Sequence, residues 1–225
     1  MDEWKALFGR ITLFPAPETS PSLPSADKLY VSIWGREADN YQRQSNALMP
    51  TVAQGKLDGV AAVCSVQPAR IDFTLMPLVP QNALATPSLD LIENASQLHS
   101  ELMRIIEIIG KEGVSCPSSR VAFSAQFLKS RESIAEANRS LTNVIPAQYR
   151  IQITDEEDFI FQINRPRVSR NVESVKMNII TKWSVDQLQV MSLSHSPAKA
   201  GGSAFQPSRG RFFSIDVRLN GKAFP

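Results

Sequence analysis

One long helix pattern stands out among segments that otherwise have the pattern of β-strands. Between residues 88 and 109, apolar side chains recur every three or four residues, which is typical of an α-helix with one apolar stripe. These side chains are Leu91, Ile92, Ala95, Leu98, Leu102, Ile105, Ile106 and Ile109. Thr86 and Pro87 are typical of a helix start, and Gly110 or Gly113 of its end. Because the stripe is one-sided, we expect this helix to pack on a sheet.

The segments on both sides of this helix show the two-residue alternation of strands. A shorter helix is predicted at 131–143 with Ser130 as its N-cap, while the prolines and serines of 15–27 predict a loop. The polar stretch 36–55 has no clear period. Strands are predicted at 4–14, 28–34, 59–66, 70–76, 120–129, 148–154, 159–164, 174–182, 187–194 and 211–219.

This pattern predicts an α+β protein. We expect a mostly antiparallel β-sheet of about nine strands, packed against one long amphipathic helix (88–109) and a shorter second helix. A parallel sheet would need a helix in nearly every crossover, and the chain offers too few helices. At 225 residues the chain is near the upper limit for one hydrophobic core. We therefore expect a single domain over 1–225, the alternative being two subdomains that meet near 112–117.

The composition is that of an ordinary folded protein. Hydrophobic residues make up 43% of the chain and charged residues 20%, which excludes a disordered chain. The first residues are acidic, where a secretory signal needs positive charge, and no uncharged apolar run reaches the roughly 18 residues of a membrane span. We therefore expect a cytoplasmic protein with no membrane-spanning segment. Its two cysteines, Cys64 and Cys116, are expected to be reduced.

The net charge of +2 hides an imbalance between the two halves of the chain. Residues 1–112 contain nine Lys/Arg and thirteen Asp/Glu, a net charge of −4, whereas residues 113–225 contain fifteen and nine, a net charge of +6. The basic excess peaks in what we call the basic segment, which consists of Arg165, Arg167, Arg170, Lys176 and Lys182.

The basic segment has two interpretations. The guanidinium group of arginine can donate two hydrogen bonds at once to a phosphate or a carboxylate, so nucleic acid is a candidate ligand. The alternative is a solvated loop in which the cations pair with Glu173 and with the acidic run 155–158. Pro166 cannot continue a central strand, so either interpretation places its flanking arginines at a sheet edge or in a loop.

No motif predicts a catalytic site, a bound cofactor or a metal. His99 lies beside the stripe of the long helix and forms no metal-binding pair four residues away, and His195 borders a glycine-rich loop. The acidic run 155–158 lacks the spacing and the glycine of a calcium loop. An enzyme site assembled from His195, Asp72 and Asp216 is a third hypothesis, which requires that two of them meet in a pocket.

Three short motifs, together with the long helix, resemble a known family. They are VQPARIDF at 66–73, RVAFS at 120–124 and FSIDV at 213–217. In order and spacing they resemble a sporadically distributed family of uncharacterised bacterial proteins. The resemblance covers about the last two thirds of the chain, and it implies an α+β architecture and a bacterial origin. Since that family has no established activity, the resemblance implies no function.

The sequence favours a non-enzymatic protein-interaction or regulatory accessory protein of bacterial type. Its acidic and basic halves offer complementary surfaces, so we expect self-association as a homo-oligomer, with another protein as the alternative partner. The second hypothesis is a nucleic-acid-contacting module that uses the basic segment.

Overall fold

The structure is a computed structural model that describes most of the chain. The described residues are 4–17, 23–43, 50–78, 90–111, 118–149, 159–168, 176–190 and 208–221. Within these ranges the helices are α1 (Ala26–Trp34), α2 (Ala95–Lys111) and α3 (Ile134–Val144), with a short 3-10 helix at Ala147–Tyr149. The strands are β1 (Lys5–Pro15), β2 (Asn40–Gln42), β3 (Thr51–Leu57), β4 (Val60–Gln67), β5 (Arg70–Pro77), β6 (Ser118–Ser130), β7 (Ile160–Val168), β8 (Lys176–Val190) and β9 (Ser208–Gly221).

These strands form one sheet in the order β2-β3-β4-β5-β1-β6-β9-β8-β7. The described strand pairs are all antiparallel. The first strand, β1, lies at the centre between β5 and β6, and the last strand, β9, lies between β6 and β8. The α+β class and the antiparallel sheet predicted from the sequence are therefore confirmed.

Tight turns connect β3, β4 and β5 into a meander. The turn before β4 contains Gly59, whose φ of 86° lies in the left-handed region that glycine adopts without strain. The turn before β5 contains Pro68 and follows Gln67, which pairs directly with Arg70. The hairpin predicted at this proline is therefore confirmed.

The three described helices lie on one face of the sheet, which we call the covered face. Directly paired residues of neighbouring strands share a face. Ile11 of β1 and its partner Phe73 of β5 belong to the large core beneath α1 and α2. The same register passes through β6, β9 and β8 to Trp183 and Val185, which pack with α3 in a smaller core.

Close contact between α2 and β1 depends on Gly9. A Cβ atom at this position would lie 2.6 Å from Leu102 Cδ1 and 2.9 Å from Leu98 Cδ1, closer than carbon atoms pack. Leu98 and Leu102 are 2% and 1% exposed, so this part of the apolar stripe seals the centre of the sheet. The absence of a side chain at Gly9 thus allows α2 to lie directly on β1.

The strand predicted at 28–34 is wrong, because these residues form most of α1. Leu29, Tyr30, Ile33 and Trp34 are buried together, at the spacing of one helix face. Val31, which the strand pattern grouped with Leu29, is 42% exposed. The helix ends at Gly35, whose φ of 67° is typical of a left-handed C-cap. With α1 the described residues form three α-helices, so the prediction of one long and one shorter helix is wrong in number.

The start of the long helix also differs from the prediction. Asn94 Oδ1 accepts a hydrogen bond from the backbone N–H of Gln97 at 3.0 Å, and α2 begins immediately after Asn94. Ile92 pairs instead with Ala6 as an isolated bridge beside β1. The predicted cap at residues 86 and 87 lies outside the described residues, as does the predicted subdomain boundary near 112–117.

The predicted strands are matched only in part. The polar stretch 36–55 contains β2 and the start of β3. These strands were not predicted because this stretch has no clear hydrophobic period. The strands predicted at 174–182 and 187–194 are largely one long strand, β8, and the one predicted at 148–154 lies mostly outside the described residues. The remaining predicted strands have counterparts in β1, β4, β5, β6, β7 and β9.

Candidate functional site

The sheet surface opposite the helices, which we call the open face, carries polar and aromatic side chains. Along β1 it presents Phe8, Arg10, Thr12 and Phe14, which alternate with the apolar residues of the covered face. Within the described residues the main helix contacts involve the covered face. The candidate functional site therefore lies on the open face, around the central strands β5, β1 and β6.

Asp72 of β5 anchors this site. Its Oδ1 accepts a hydrogen bond from Thr12 Oγ1 at 2.5 Å, and its Oδ2 lies 2.7 Å from Arg70 Nε. Arg10 Nε lies 3.9 Å from Oδ1 on the other side. Asp72 is only 8% exposed, so its charge requires such partners. With one carboxylate and two guanidinium groups, this cluster keeps a net positive charge.

Each of two open-face arginines lies over a phenylalanine ring of β1. Arg10 Cζ is 5.7 Å from the centroid of the Phe8 ring, and Arg120 Cζ is 4.5 Å from that of Phe14. Arg120 of β6 is paired in register with Phe14, which explains the shorter distance. Cation–π contacts of this kind orient a guanidinium group. We call Arg10, Arg70 and Arg120 the arginine cluster.

The structure divides the basic segment between the two faces. Arg165 and Arg167 of β7 share the register of the covered face, and Arg165 Cζ lies 5.8 Å from the centroid of the Tyr149 ring. Lys176 and Lys182 of β8 alternate with covered-face residues and so belong to the open face. The predicted contact residues therefore do not form one surface, and Arg170 lies outside the described residues.

The predicted sheet-edge position of Arg165 and Arg167 is confirmed. They flank Pro166 in β7, which among the described strands is the last of the sheet and pairs with β8 alone. Proline has no backbone N–H to donate, so an edge strand tolerates it where a central one would not. The interpretation of these residues as a loop is wrong for 160–168, while Glu173 and the acidic run 155–158 lie outside the described residues.

The residues of the enzyme hypothesis do not assemble within the described part of the chain. Asp72 is on β5 and Asp216 on β9, three strand spacings apart, or about 14 Å at the usual spacing. His195 lies outside the described residues, and His99 is exposed on α2. No group of three metal-ligating side chains occurs among the described residues. Cys64 is fully buried, and burial raises the pKa of its thiol, so it is a poor nucleophile.

A cleft of about 370 Å³ lies between α2, the end of α1 and the β3–β4 turn. Glu101 accepts hydrogen bonds there from Trp34 Nε1 at 3.2 Å and from Arg104 Nη2 at 2.6 Å. The hydrogen bond from Arg104 to Glu101 raises the pKa of this arginine. Arg104 Nη1 also donates to the carbonyl oxygen of Ile33 at 2.9 Å, so the main charges of the cleft hold α1 against α2.

A second cavity, of about 480 Å³, extends the open face towards β3. Its lining includes Gln54 and Lys56 of β3 and their neighbours Ala61 and Met76, all in the register of the open face. Met76 is 37% exposed. This cavity therefore continues the open face towards β3, and its lining contains one cation, Lys56, and one carboxylate, Asp39.

The arginine cluster was not predicted from the sequence, because its members are widely spaced along the chain. A signal was nonetheless present, since Arg10, Arg70 and Arg120 lie in three segments predicted as strands. In β1 the alternation alone separates Arg10 from the apolar residues. Only the pairing of β5, β1 and β6 brings the three guanidinium groups to one surface.

Comparisons with known proteins give no match for this chain. No family model, no curated protein and no solved structure is similar to it. The resemblance to a family of uncharacterised bacterial proteins therefore stays a prediction. None of the helices in the described part of the chain is long and apolar enough to cross a membrane.

Proposed function

We propose that this chain is a non-enzymatic interaction protein that binds an anionic partner through its open face. The observation that carries the proposal is the arginine cluster, whose members lie on the sheet surface opposite the helices. The side chains of Arg10 and Arg70 are each 36% exposed, so they are accessible in part while Asp72 holds them from below.

Asp72 supports a binding role better than a catalytic one. Both of its oxygens already have partners, Thr12 and Arg70, and it is almost fully buried. A general base must reach its substrate with a free oxygen. Here the carboxylate instead fixes the positions of the guanidinium groups, which is the preorganisation that anion recognition needs.

The test compares two charge-matched double variants. Arg10→Gln with Arg120→Gln removes two positive charges from the open face, and Arg165→Gln with Arg167→Gln removes two from the covered face. We expect the first variant to elute from immobilised heparin, a soluble polyanion, at clearly lower salt than the unaltered protein, because exposed charge attraction is salt-dependent. The second variant should elute close to the unaltered protein.

Circular dichroism and thermal unfolding establish that both variants are folded before they are compared. Equal elution of both variants would contradict the proposed role of the open face. If only the Arg165 and Arg167 variant eluted from heparin at lower salt, the result would instead favour the basic segment as the anion-binding surface.

Self-association is a second candidate function, favoured by the position of β7 at the end of the described strands. Within the described residues β7 pairs on one side only, and Ile160 and Val168 near its two ends are each 59% exposed. Antiparallel pairing of β7 with its copy in a second chain would cover both side chains and remove the open edge. Pro166 limits the number of backbone hydrogen bonds that such a pair can form.

Light scattering after size-exclusion chromatography tests this second candidate. We expect a dimer that Val168→Lys converts to a monomer, while Val121→Lys on β6, also exposed, leaves the dimer intact. A monomer at both low and moderate salt would contradict self-association.

A further inference from the structure

We infer that the anionic ligand of the open face is single-stranded nucleic acid, an inference that rests on the binding role proposed above. The arginine cluster accounts for attraction to any polyanion. The two phenylalanine rings beside it favour one kind of polyanion. Their flat apolar surfaces lie next to the charges, so a ligand with both phosphates and unpaired bases can contact both.

Phe8 and Phe14 lie on the same side of β1, six residues apart, which corresponds to about 20 Å along a strand. Both rings are half-buried. Each has a guanidinium group within 6 Å of its centre, from Arg10 in one case and Arg120 in the other. Unpaired bases stack on aromatic rings and on guanidinium planes, whereas the bases of a duplex already stack on each other.

The charges continue beyond the arginine cluster across the sheet. Lys182 and Lys176 of β8 belong to the same face, three strand spacings from β1, or about 14 Å. Asp216, at the register position between Gln126 and Lys182, is a carboxylate on this path. From Arg70 on β5 to Lys182 on β8, cations still predominate on the described part of the face. A strand of phosphates that crosses the sheet would meet several of them.

An acidic protein segment could pair with the arginines, but its carboxylates could not stack on the phenylalanine rings. Carboxylate side chains carry no π-face, so they gain nothing from Phe8 or Phe14 beyond ordinary apolar contact. The geometry therefore favours a ligand that alternates negative charge with flat rings, as single-stranded DNA or RNA does. An acidic polymer and a duplex become controls in the test.

The experiment measures fluorescence anisotropy of a labelled oligothymidylate of about 20 nucleotides, which exceeds the site size of typical single-strand binding folds. A duplex of equal length and polyglutamate serve as competitors. We expect the oligothymidylate to bind and the duplex and polyglutamate to compete poorly. Phe14→Leu should weaken binding by about five- to 150-fold, the range for the loss of one base stack, and leave the salt dependence unchanged.

The arginine variants give a different signature. Arg10→Gln with Arg120→Gln should lower the slope of log affinity against log salt by roughly 0.7 for each phosphate that the variant no longer neutralises. The Arg165→Gln and Arg167→Gln control should leave affinity and slope unchanged. If Phe14→Leu does not fold, Arg120→Lys replaces it, because lysine keeps the charge but loses the planar stack, and it should weaken binding with the slope retained.

The outcomes separate this inference from the proposed function. If polyglutamate and heparin bind through the arginine cluster but the oligothymidylate does not, the ligand is not single-stranded nucleic acid. The proposed anion-binding role of the open face then stands. If the oligothymidylate binds and only the Arg165 and Arg167 variant weakens it, both proposals about the open face are wrong. Equal affinity for the duplex, or indifference to Phe14→Leu in a folded variant, would overturn the inference.

Discussion

The two faces of the sheet are built from alternate residues of the same strands, yet their environments are opposite. On the covered face, Ile11, Phe73 and Leu75 are at most 1% exposed and pack against helices. On the open face, the intervening residues Arg10 and Asp72 form a charged cluster. The difference shows that alternate positions of one strand can lie in an apolar core and in a polar, charged surface, so the two environments can be altered separately.

The largest expected effect concerns the covered face. Leu102→Ala should lower the free energy of unfolding by about 2–5 kcal/mol, because Leu102 is 1% exposed and its truncation leaves a cavity above Gly9. Met103 is 44% exposed on the same helix, so Met103→Ala should change stability by less than about 0.5 kcal/mol. Urea denaturation measures both variants. Similar losses for the two would contradict the assignment of the core.

A second prediction addresses the contact between α2 and β1. Gly9→Ala should cost about 1–3 kcal/mol, because the new methyl group would overlap Leu102 and Leu98. A Cβ atom at Gly110 of α2 would have no neighbouring atom within 4 Å, so Gly110→Ala should stabilise the protein by about 0.4–1 kcal/mol. The two glycine substitutions thus have opposite signs in thermal or chemical unfolding. A stabilising Gly9→Ala would show that α2 does not lie directly on β1.

Loss of the Asp72 charge on the open face should cost less stability than truncation of Leu102 on the covered face. Asp72→Asn removes the charge that faces Arg70 and Arg10 and weakens the bond from Thr12, at an expected cost of about 1–3 kcal/mol. A double-mutant cycle with Thr12→Val measures how much of this cost belongs to the Thr12–Asp72 hydrogen bond. Strict additivity of the two substitutions would mean that the bond contributes nothing to stability.

The smallest expected effect is a loss of stability at alkaline pH, which comes from two groups buried in the core. Burial raises the pKa of Cys64 and of Tyr30 above their ordinary values of 9.0 and 10.0. A group with a raised pKa in the folded state stays protonated there while the unfolded chain ionises, so stability is retained below pH 9 and falls as the pH rises further. Tyr30→Phe should reduce this fall without large loss at pH 7, since the Tyr30 hydroxyl lacks a hydrogen-bond partner among the described residues.

Urea denaturation between pH 7 and about pH 10.5 measures this dependence, and the linkage slope reports the difference in bound protons. Cys64→Ala provides the companion variant for the thiol. A stability that rises over this range would contradict the buried, protonated state of both groups.

The sequence was sufficient where one periodicity dominated a segment. Strands β5 and β6 were predicted nearly to their ends because apolar residues alternate in each, and β4 because it is a short apolar run between two turns. Helix α1 was missed because Leu29, Val31 and Ile33 imitate a strand, although Leu29 and Ile33 also lie on one helix turn. Strand β3 was missed since Ala53 and Gly55, its buried positions, are too small to produce a visible apolar pattern.

The candidate site could not be predicted because it depends on pairing between distant segments. Thr12 and Asp72 are bonded across 60 positions of sequence, and nothing in either segment indicates the register that joins them. The basic segment shows the reverse case. Its cations cluster in sequence, but strand alternation and the β7–β8 register separate Arg165 from Lys182.

The position of β9 has a consequence for how the chain folds during synthesis. Strands β1 to β5 and their helices can form once residue 111 has left the ribosome, whereas among the described strands β7 and β8 join the sheet only through β9. Until residues 208–221 emerge, β7 and β8 are a two-stranded hairpin that among the described elements has only α3 to pack against. At a synthesis rate of about 5–20 residues per second, this hairpin waits for a few seconds with its edges open. A chaperone that binds nascent strands should therefore contact this chain late, when β8 has left the ribosome and β9 has not.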